Sequence, residues 1–291
     1  MYYIVYTFFY LMSLLPLRVL YFISDGIYGI LYYIVRYRRE VVMNNLLIAF
    51  PEKSEEERTA IAKSFYHKLI DSMIESLKLL SASDAFFEKR FRGNWEVVEQ
   101  FYQNGRSVQL HLGHNFNWDW GNMMIARKTS FQFIGVYMPI HNKAFEKLFK
   151  KIRSRGGAHL INATKMAREF LPFRRSLYCL GLIADQSPGR IDKAKWFYFF
   201  NRKTAFTIGP AKSAITNDAV IVFAFIKCVK RGYYEVEFTV NTQHPREQNA
   251  DQLTLQFVKF LENNIRQYPD MWLWSHRRWK HEWKEGDTVV T

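Results

Sequence analysis

His114 and Asp119 are the pair in this chain whose types and spacing could do proton-transfer chemistry. They stand in Leu110-His111-Leu112-Gly113-His114-Asn115-Phe116-Asn117-Trp118-Asp119, where a short alternating strand runs into a glycine, a histidine and then an acid. Five residues along one straight helix turn roughly 500°, which would leave the two side chains about 140° apart. They meet only if His114 lies in the turn before a helix and Asp119 in its first turns, and Gly113 permits such a turn. A neutral imidazole so placed can take a proton from a hydroxyl attacking a carbonyl, while the carboxylate holds the ring in one tautomer. The nucleophile can be the substrate's own hydroxyl, so no Ser or Cys of this segment is required. An acid in a first helical turn would also simply complement the helix dipole, so the pair needs support from the rest of the chain.

Several other residues are candidates for binding. Arg153 and Arg155 close a helical stretch before Gly156-Gly157; they fit either an anionic ligand or the orphan carbonyls of a helix C-terminus. Asp185-Gln186 ends a buried strand, and ligands of open α/β sheets gather at the carboxyl ends of strands; a polar turn anchored by the Asp side chain is the alternative. Arg277 and Arg278 sit among Trp272, Trp274, Trp279, Lys280 and Trp283. Indoles and cations together fit a headgroup region or an anionic substrate, while part of the Trp set would also serve as core. His111, alone within its strand, reads as structural.

The elements that must position these groups are legible by period. Ser54-Glu55-Glu56-Glu57 opens a helix with a capping box, and Ile61, Phe65, Leu69, Met73, Leu77 and Leu80 keep helical spacing after it; this helix reads as scaffold. Strands are expected at 108–112, 131–138, 158–161, 177–184, 220–225 and 234–240, and helices at 143–153 and 253–265. The 177–184 run is continuously apolar, as in a strand buried on both faces. Strands alternating with helices argue an α/β fold with a central, mostly parallel or mixed sheet flanked by helices.

The chain has 291 residues and a formal charge of +14, and 17% of it is aromatic. Such a basic surface implies anionic partners: a membrane, an acidic carrier, a phosphorylated lipid or nucleic acid. Nucleic acid is disfavoured because the cations accompany long apolar stretches and no reader motif is present. No metal-ligand spacing or glycine-rich phosphate loop occurs. Cys179 and Cys228, inside apolar runs, fit buried thiols better than a disulfide. Residues 1–35 are apolar and aromatic, broken at Pro16 and Arg18 and closed by Arg36-Tyr37-Arg38-Arg39. Neither run is a clean span of about 20 residues, and no signal-peptide pattern is present. The segment reads as a bent membrane anchor, one helix or a re-entrant pair, with residues 36–291 as a separate domain; a buried core helix pair is the alternative.

The His114-x4-Asp119 pattern resembles the H-x4-[DE] block of glycerolipid and lipid A acyltransferases. The closer resemblance is to the bacterial lipid A biosynthesis acyltransferases, the lauroyl and myristoyl transferases, which typically read H-x-G-N-W-E where this chain has His114-Asn115-Phe116-Asn117-Trp118-Asp119. Three further blocks follow in the family's order: Leu182 to Gly189 with its Asp185-Gln186, Phe199-Phe200-Asn201-Arg202 through Thr207-Ile208-Gly209-Pro210-Ala211, and Tyr268 to Lys280. Phe116 and Asp119 depart from the usual Gly and Glu. The resemblance implies a glycerolipid acyltransferase-like fold. It implies transfer of a fatty acyl group from an acyl carrier protein thioester to a hydroxyl of an anionic lipid A precursor, at the cytoplasmic face of the bacterial inner membrane. His114 would be the base, Asp119 its orienter, and Arg153 or Arg155 a basic residue that assists the acid or binds phosphate. No cofactor is implied beyond the acyl donor. Two alternatives stand beside it: the same chemistry on a lysophospholipid, aminolipid or pigment phenol, and a non-catalytic membrane-surface binding protein.

Overall fold

The computed structural model describes residues 1–291 and contains ten strands in two sheets. They are β1 (Phe91–Gly93), β2 (Val108–Leu112), β3 (Gln132–Tyr137), β4 (His159–Asn162), β5 (Tyr178–Ile183), β6 (Ala194–Phe199), β7 (Arg202–Thr207), β8 (Val220–Lys230), β9 (Tyr233–Thr242) and β10 (Val289–Val290). The central sheet has the order β1-β9-β8-β2-β5-β3-β4. From β8 to β4 all neighbours are parallel; β9 returns antiparallel to β8, and β1 lies parallel to β9. The fold is therefore α/β with a mostly parallel central sheet flanked by helices. Each of the six expected strands is present, and β8 and β9 run several residues longer than their apolar stretches suggested.

The helices are α1 (Tyr2–Leu14), α2 (Leu17–Gly29), α3 (Arg39–Ala49), α4 (Glu55–Ser76), α5 (Asp84–Glu88), α6 (Glu96–Gln103), α7 (Trp118–Lys128), α8 (Lys143–Arg153), α9 (Met166–Glu169), α10 (Gly209–Asn217) and α11 (Ala250–Gln267). Strand alternation sends side chains to two cores. Val108, Leu110, Val222 and Ala224 pack with Phe101 of α6, Trp120 of α7 and Leu148 of α8. Ile221 and Phe223 point the other way, onto Ala214 of α10 and Phe257 of α11. The polar positions of β2 face that second side. Gln109 Nε2 donates to Ser213 Oγ at 3.0 Å, and Gln109 Oε1 lies 3.3 Å from His111 Nε2. Burial pulls the His111 pKa down to about 4, so it is a neutral core residue.

Two features were not legible by period. The β6–β7 hairpin packs with β10 as a small second sheet. Its turn places Phe200 and Asn201 in the left-handed region, at φ 53° and 55°, without the Asn-Gly or Asp-Gly pair that usually marks such a turn. The second is the C-terminal segment, which is core: Met271, Trp272 and Trp274 are buried with Phe197, Phe199 and Phe206 of the hairpin and Phe65 of α4. Asn45 Nδ2 of α3 holds this segment by donating to the carbonyls of Trp274 and His276, both at 2.8 Å. The Ser54 capping box forms as expected, with Ser54 N–H donating to Glu57 at 2.7 Å. Cys179 is buried and Cys228 half-buried, both as free thiols.

Residues 17–34, comprising α2 and a π-helical turn, are long and apolar enough to cross a membrane by length and composition. Their outer face, and that of α1, exposes Ile4, Phe8, Leu11, Phe22 and Ile30. The inner face is tied to the body. Lys78 Nζ donates to the Ser13 carbonyl at 2.6 Å, Ser24 Oγ to Asp71 at 2.6 Å and Tyr21 Oη to Glu75 at 2.6 Å. Leu20 and Tyr32 are fully buried. The N-terminal segment is thus apolar outside and joined by buried polar contacts to α4 and the turn after it inside.

Candidate active site

β2 and β5 are paired in parallel with Leu112 opposite Ile183, so the residues two places beyond each strand end, His114 and Asp185, emerge side by side. Gly113 lets them approach: a Cβ there would stand 2.7 Å from Leu261 Cδ1 and 3.3 Å from Asp185 Oδ2. His114 Nδ1 lies 2.5 Å from Asp185 Oδ1, and the His114 backbone N–H donates to Oδ2 at 2.9 Å. Trp272 Nε1 also donates to Oδ2, at 2.6 Å. Burial alone would raise the Asp185 pKa. The His114 charge and the three hydrogen bonds outweigh it and bring the pKa down to about 2. Asp185 is therefore a buried carboxylate, and its acceptance at Nδ1 leaves the lone pair of His114 on Nε2. Gln186 Nε2, 3.2 Å away, donates to that lone pair. The loop is held from behind by His276, whose Nε2 accepts from the Ser187 N–H at 3.0 Å.

Asp119, expected as the ring's partner, is engaged elsewhere. Asn117 caps α7 through its side chain, and the first turn directs the Asp119 carboxylate to Ser76 Oγ at 2.8 Å and Arg153 Nε at 3.0 Å. No hydrogen bond joins it to His114; the Asp185 carboxylate, just beyond the end of β5, takes that place. Arg153 and Arg155 separate as well. Arg153 faces the site. Arg155 donates to the carbonyls of Leu79 and Ala82, fastening the turn after α4.

His114, Asp119, Arg153 and Gln186 open onto a cavity of about 480 Å³ that runs between α7 and the sheet from β9 to β4. Its other walls are mostly apolar, with Leu112, Ile125, Phe133, Leu182 and Phe238 among them. Gly135 and Gly181, on adjacent strands β3 and β5, also line it, and a Cβ at Gly181 would stand 3.0 Å from Phe133 Cζ. A basic nitrogen, a buried carboxylate and a cation at one side of an apolar slot can take a proton from a hydroxyl while a hydrocarbon tail lies in the slot. A model of the family described as bacterial lipid A biosynthesis acyltransferase matches residues 1–281. The chain belongs to that family.

Two relatives with near full-length matches are the lipid A biosynthesis palmitoleoyltransferase of Escherichia coli K12 and a lipid A biosynthesis acyltransferase of Shigella flexneri. Each is 21% identical over 269 residues, covering 91% of this chain and 86% of the relative. Lipid A biosynthesis acyltransferase 2 of Shigella flexneri is 24% identical over 146 residues, half of this chain, and the match spans 46% of that relative's length. Membership makes the site that of an acyltransferase family, and the two departures from the family pattern acquire places. Phe116 is fully buried against Phe65, outside the cavity wall. Asp119, shorter than the usual Glu, reaches Ser76 and Arg153. Four residues of this arrangement carried no long-range signal in the sequence: Ser76, Glu75 and Asn117 behind the site, and Trp272 on Asp185. Trp272 lay inside a block that resembled the family, but only the fold shows its indole on the carboxylate.

The two C-terminal arginines divide. Arg277 is exposed, whereas Arg278 is buried over the Phe206 ring at 4.0 Å and donates to the Ala205 carbonyl at 2.9 Å. Burial lowers the Arg278 pKa to about 9, with Asp185 opposing, so it remains charged at neutral pH. Replacing Arg277 with Gln is expected to change stability by at most about 0.5 kcal/mol. Replacing Arg278 with Gln should cost about 1–3 kcal/mol, through the lost hydrogen bond and ring packing. Denaturant titration of the two variants checks this; equal midpoints would contradict the inward placement of Arg278.

Proposed function

We propose that this protein transfers a fatty acyl group from an acyl carrier protein thioester to a hydroxyl of a lipid A precursor, at the cytoplasmic face of the inner membrane. The observation that carries the reading is the His114–Asp185 pair beside an apolar cavity shaped for a hydrocarbon tail. In this mechanism the acceptor hydroxyl displaces the Gln186 amide from His114 Nε2. It gives its proton to that nitrogen as its oxygen attacks the thioester carbonyl carbon, and Asp185 holds the ring and stabilises the imidazolium. The tetrahedral intermediate collapses with cleavage of the carbon–sulfur bond, and the leaving thiolate takes the proton from the imidazolium. Arg153, oriented by Asp119, is the one Lys or Arg lining the cavity with His114 and suits the negative charge that develops on the carbonyl oxygen. The basic surface suits an acidic carrier and an anionic acceptor, with Arg277 an exposed contact for the acceptor.

Family membership supports lipid A as the acceptor class. Phe116 packs inward against Phe65, away from the cavity lining, so that departure gives no support to a lysophospholipid, aminolipid or pigment acceptor. The test is mass spectrometry of lipid A from cells lacking the gene and from cells complemented with wild type or Gly181→Val. Loss of one acyl chain on deletion is expected, with its restoration by wild type. The valine, which crowds Phe133 into the cavity, should restore a shorter chain. Unchanged lipid A on deletion would overturn the acceptor assignment, and an unchanged chain length with Gly181→Val would remove the acyl tail from this cavity.

A further inference from the structure

Glu75, near the end of α4, is a fully buried carboxylate with no cationic partner. Three neutral donors from three elements converge on it. Tyr21 Oη of α2 reaches Oε1 at 2.6 Å; Tyr234 Oη of β9 and Asn117 Nδ2 reach Oε2 at 2.6 and 3.0 Å. The Glu75 carbonyl accepts from Trp120 Nε1 at 2.9 Å. Asn117 uses its amide at both ends: Nδ2 on Glu75, and Oδ1 accepting the Trp120 N–H at 3.2 Å to start α7. The residue after Glu75, Ser76, donates to Asp119. The end of α4 therefore grips the segment between His114 and Asp119 at both its cap and its acid, while its far side holds α2. Of these groups the catalytic scheme above uses Asp119 alone.

We propose that Glu75 is a positioning residue for acyl transfer: as a carboxylate it fixes the Asn117–Asp119 turn beside His114 and ties that turn to the seat of α2. This rests on the reading of His114 as the base. All three partners donate, so the full set of hydrogen bonds forms only with the ionised carboxylate; a protonated Glu75 forces one tyrosine to turn its hydroxyl away. Burial raises the Glu75 pKa, and Asp71 adds to this. Tyr21, Tyr234 and Asn117 pull it back, leaving it at about 7. The other charged or titratable groups facing this pocket are Cys228 of β8 and, through Asp71 and Tyr21, Arg231 of the β8–β9 turn. Removing a donor must move the Glu75 pKa further up, so the pH at which the turn loosens moves with it.

The test uses the full-length protein in detergent with an acyl carrier protein thioester and lipid A precursor. kcat and KM are measured from mildly acid to mildly alkaline pH. Tyr21→Phe is expected to shift the acid limb of kcat to higher pH and leave the donor KM unchanged. Glu75→Gln should lower kcat about tenfold, the size of one charge-assisted hydrogen bond, and abolish the sensitivity of the limb to Tyr21→Phe. Ser24→Ala breaks a buried bond of the same α2–α4 seam without touching Glu75; it should lower the melting temperature and leave the limb in place. If Tyr21→Phe lowers only the melting temperature, as Ser24→Ala does, Glu75 is structural and the proposal is overturned. That comparison decides even if Glu75→Gln does not fold. His114→Ala run alongside separates the readings: an active His114→Ala protein overturns the site itself, whereas an inactive one with an unmoved Tyr21→Phe limb overturns only the role of Glu75.

Discussion

Replacing His114 with Ala is expected to lower kcat by about 10²–10⁴, the usual worth of a general base. Asp185→Asn should approach the upper end of that range, because an amide favours the tautomer with the proton on the wrong nitrogen. The two act as a unit, so the double variant should be little slower than the slower single. Asp119 provides the contrast. Its carboxylate is bonded to Ser76 and Arg153 rather than to the ring, so Asp119→Asn should impair transfer through Arg153 and combine more nearly additively with Asp185→Asn. Steady-state kinetics of the three singles and the three pairwise doubles decide the matter. Near-normal turnover in Asp185→Asn, with Asp119→Asn fully coupled to His114→Ala, would make Asp119 the ring's partner. Stability must be followed in parallel. Against burial, which raises it, the His114 charge and hydrogen bonds hold the Asp185 pKa at about 2, below the ordinary carboxylate range. Its stabilising contribution is therefore complete above its unfolded pKa and is lost as pH falls through about 2, so Asp185→Asn is expected to be less stable than wild type at assay pH. Urea titration at two pH values separates that loss from the kinetic one.

The sequence carried the parallel part of the fold because each buried strand is a short apolar run and each covering helix keeps its period. His114 and the Asp185-Gln186 strand end were legible for the same reason: both follow strands, and strand ends in parallel sheets converge. What could not be read was pairing across the sheet. Five positions separate His114 from Asp119 and 71 separate it from Asp185, and only the β2–β5 register makes the distant acid the near one. The same holds for α4. Its spacing marked it as scaffold, yet Glu75 and Ser76 at its end hold the segment from Asn117 to Asp119 beside His114. Buried polar side chains are invisible to a hydrophobic pattern, since they interrupt it as an exposed residue would. Trp272 and Arg278 were hidden in the opposite way. A run dense in indoles and cations reads as a membrane-facing surface, and here it is wound under the β6–β7 hairpin, with Arg277 and Lys280 exposed.

The same inward wiring governs the effect expected from removing residues 1–35. A detachable anchor would leave a folded remainder, but this segment supplies donors to buried groups of the body. Truncation strips Tyr21 from Glu75 and Ser24 from Asp71, and it deprives Lys78 Nζ of the carbonyls of Ser13 and Leu15. Each polar group left buried and unpaired costs about 1–3 kcal/mol. The cavities left by Leu20 and Tyr32 add about 2–5 kcal/mol each. Together these reach the whole stability of a typical domain, about 5–15 kcal/mol, so residues 36–291 alone are expected to aggregate or to melt without cooperativity. Circular dichroism and gel filtration of the truncated chain check this, and a soluble, cooperatively melting fragment would show that the segment is an independent unit after all. Substitution on the outer face separates anchoring from folding. Ile4→Ser, Phe8→Ser and Phe22→Ser together remove exposed apolar surface and no buried contact. That triple variant should keep the wild-type melting temperature and release a large share of the protein from membranes. Full-length protein extracted by high salt alone would contradict a hydrophobic anchor, because salt screens charges and strengthens apolar association.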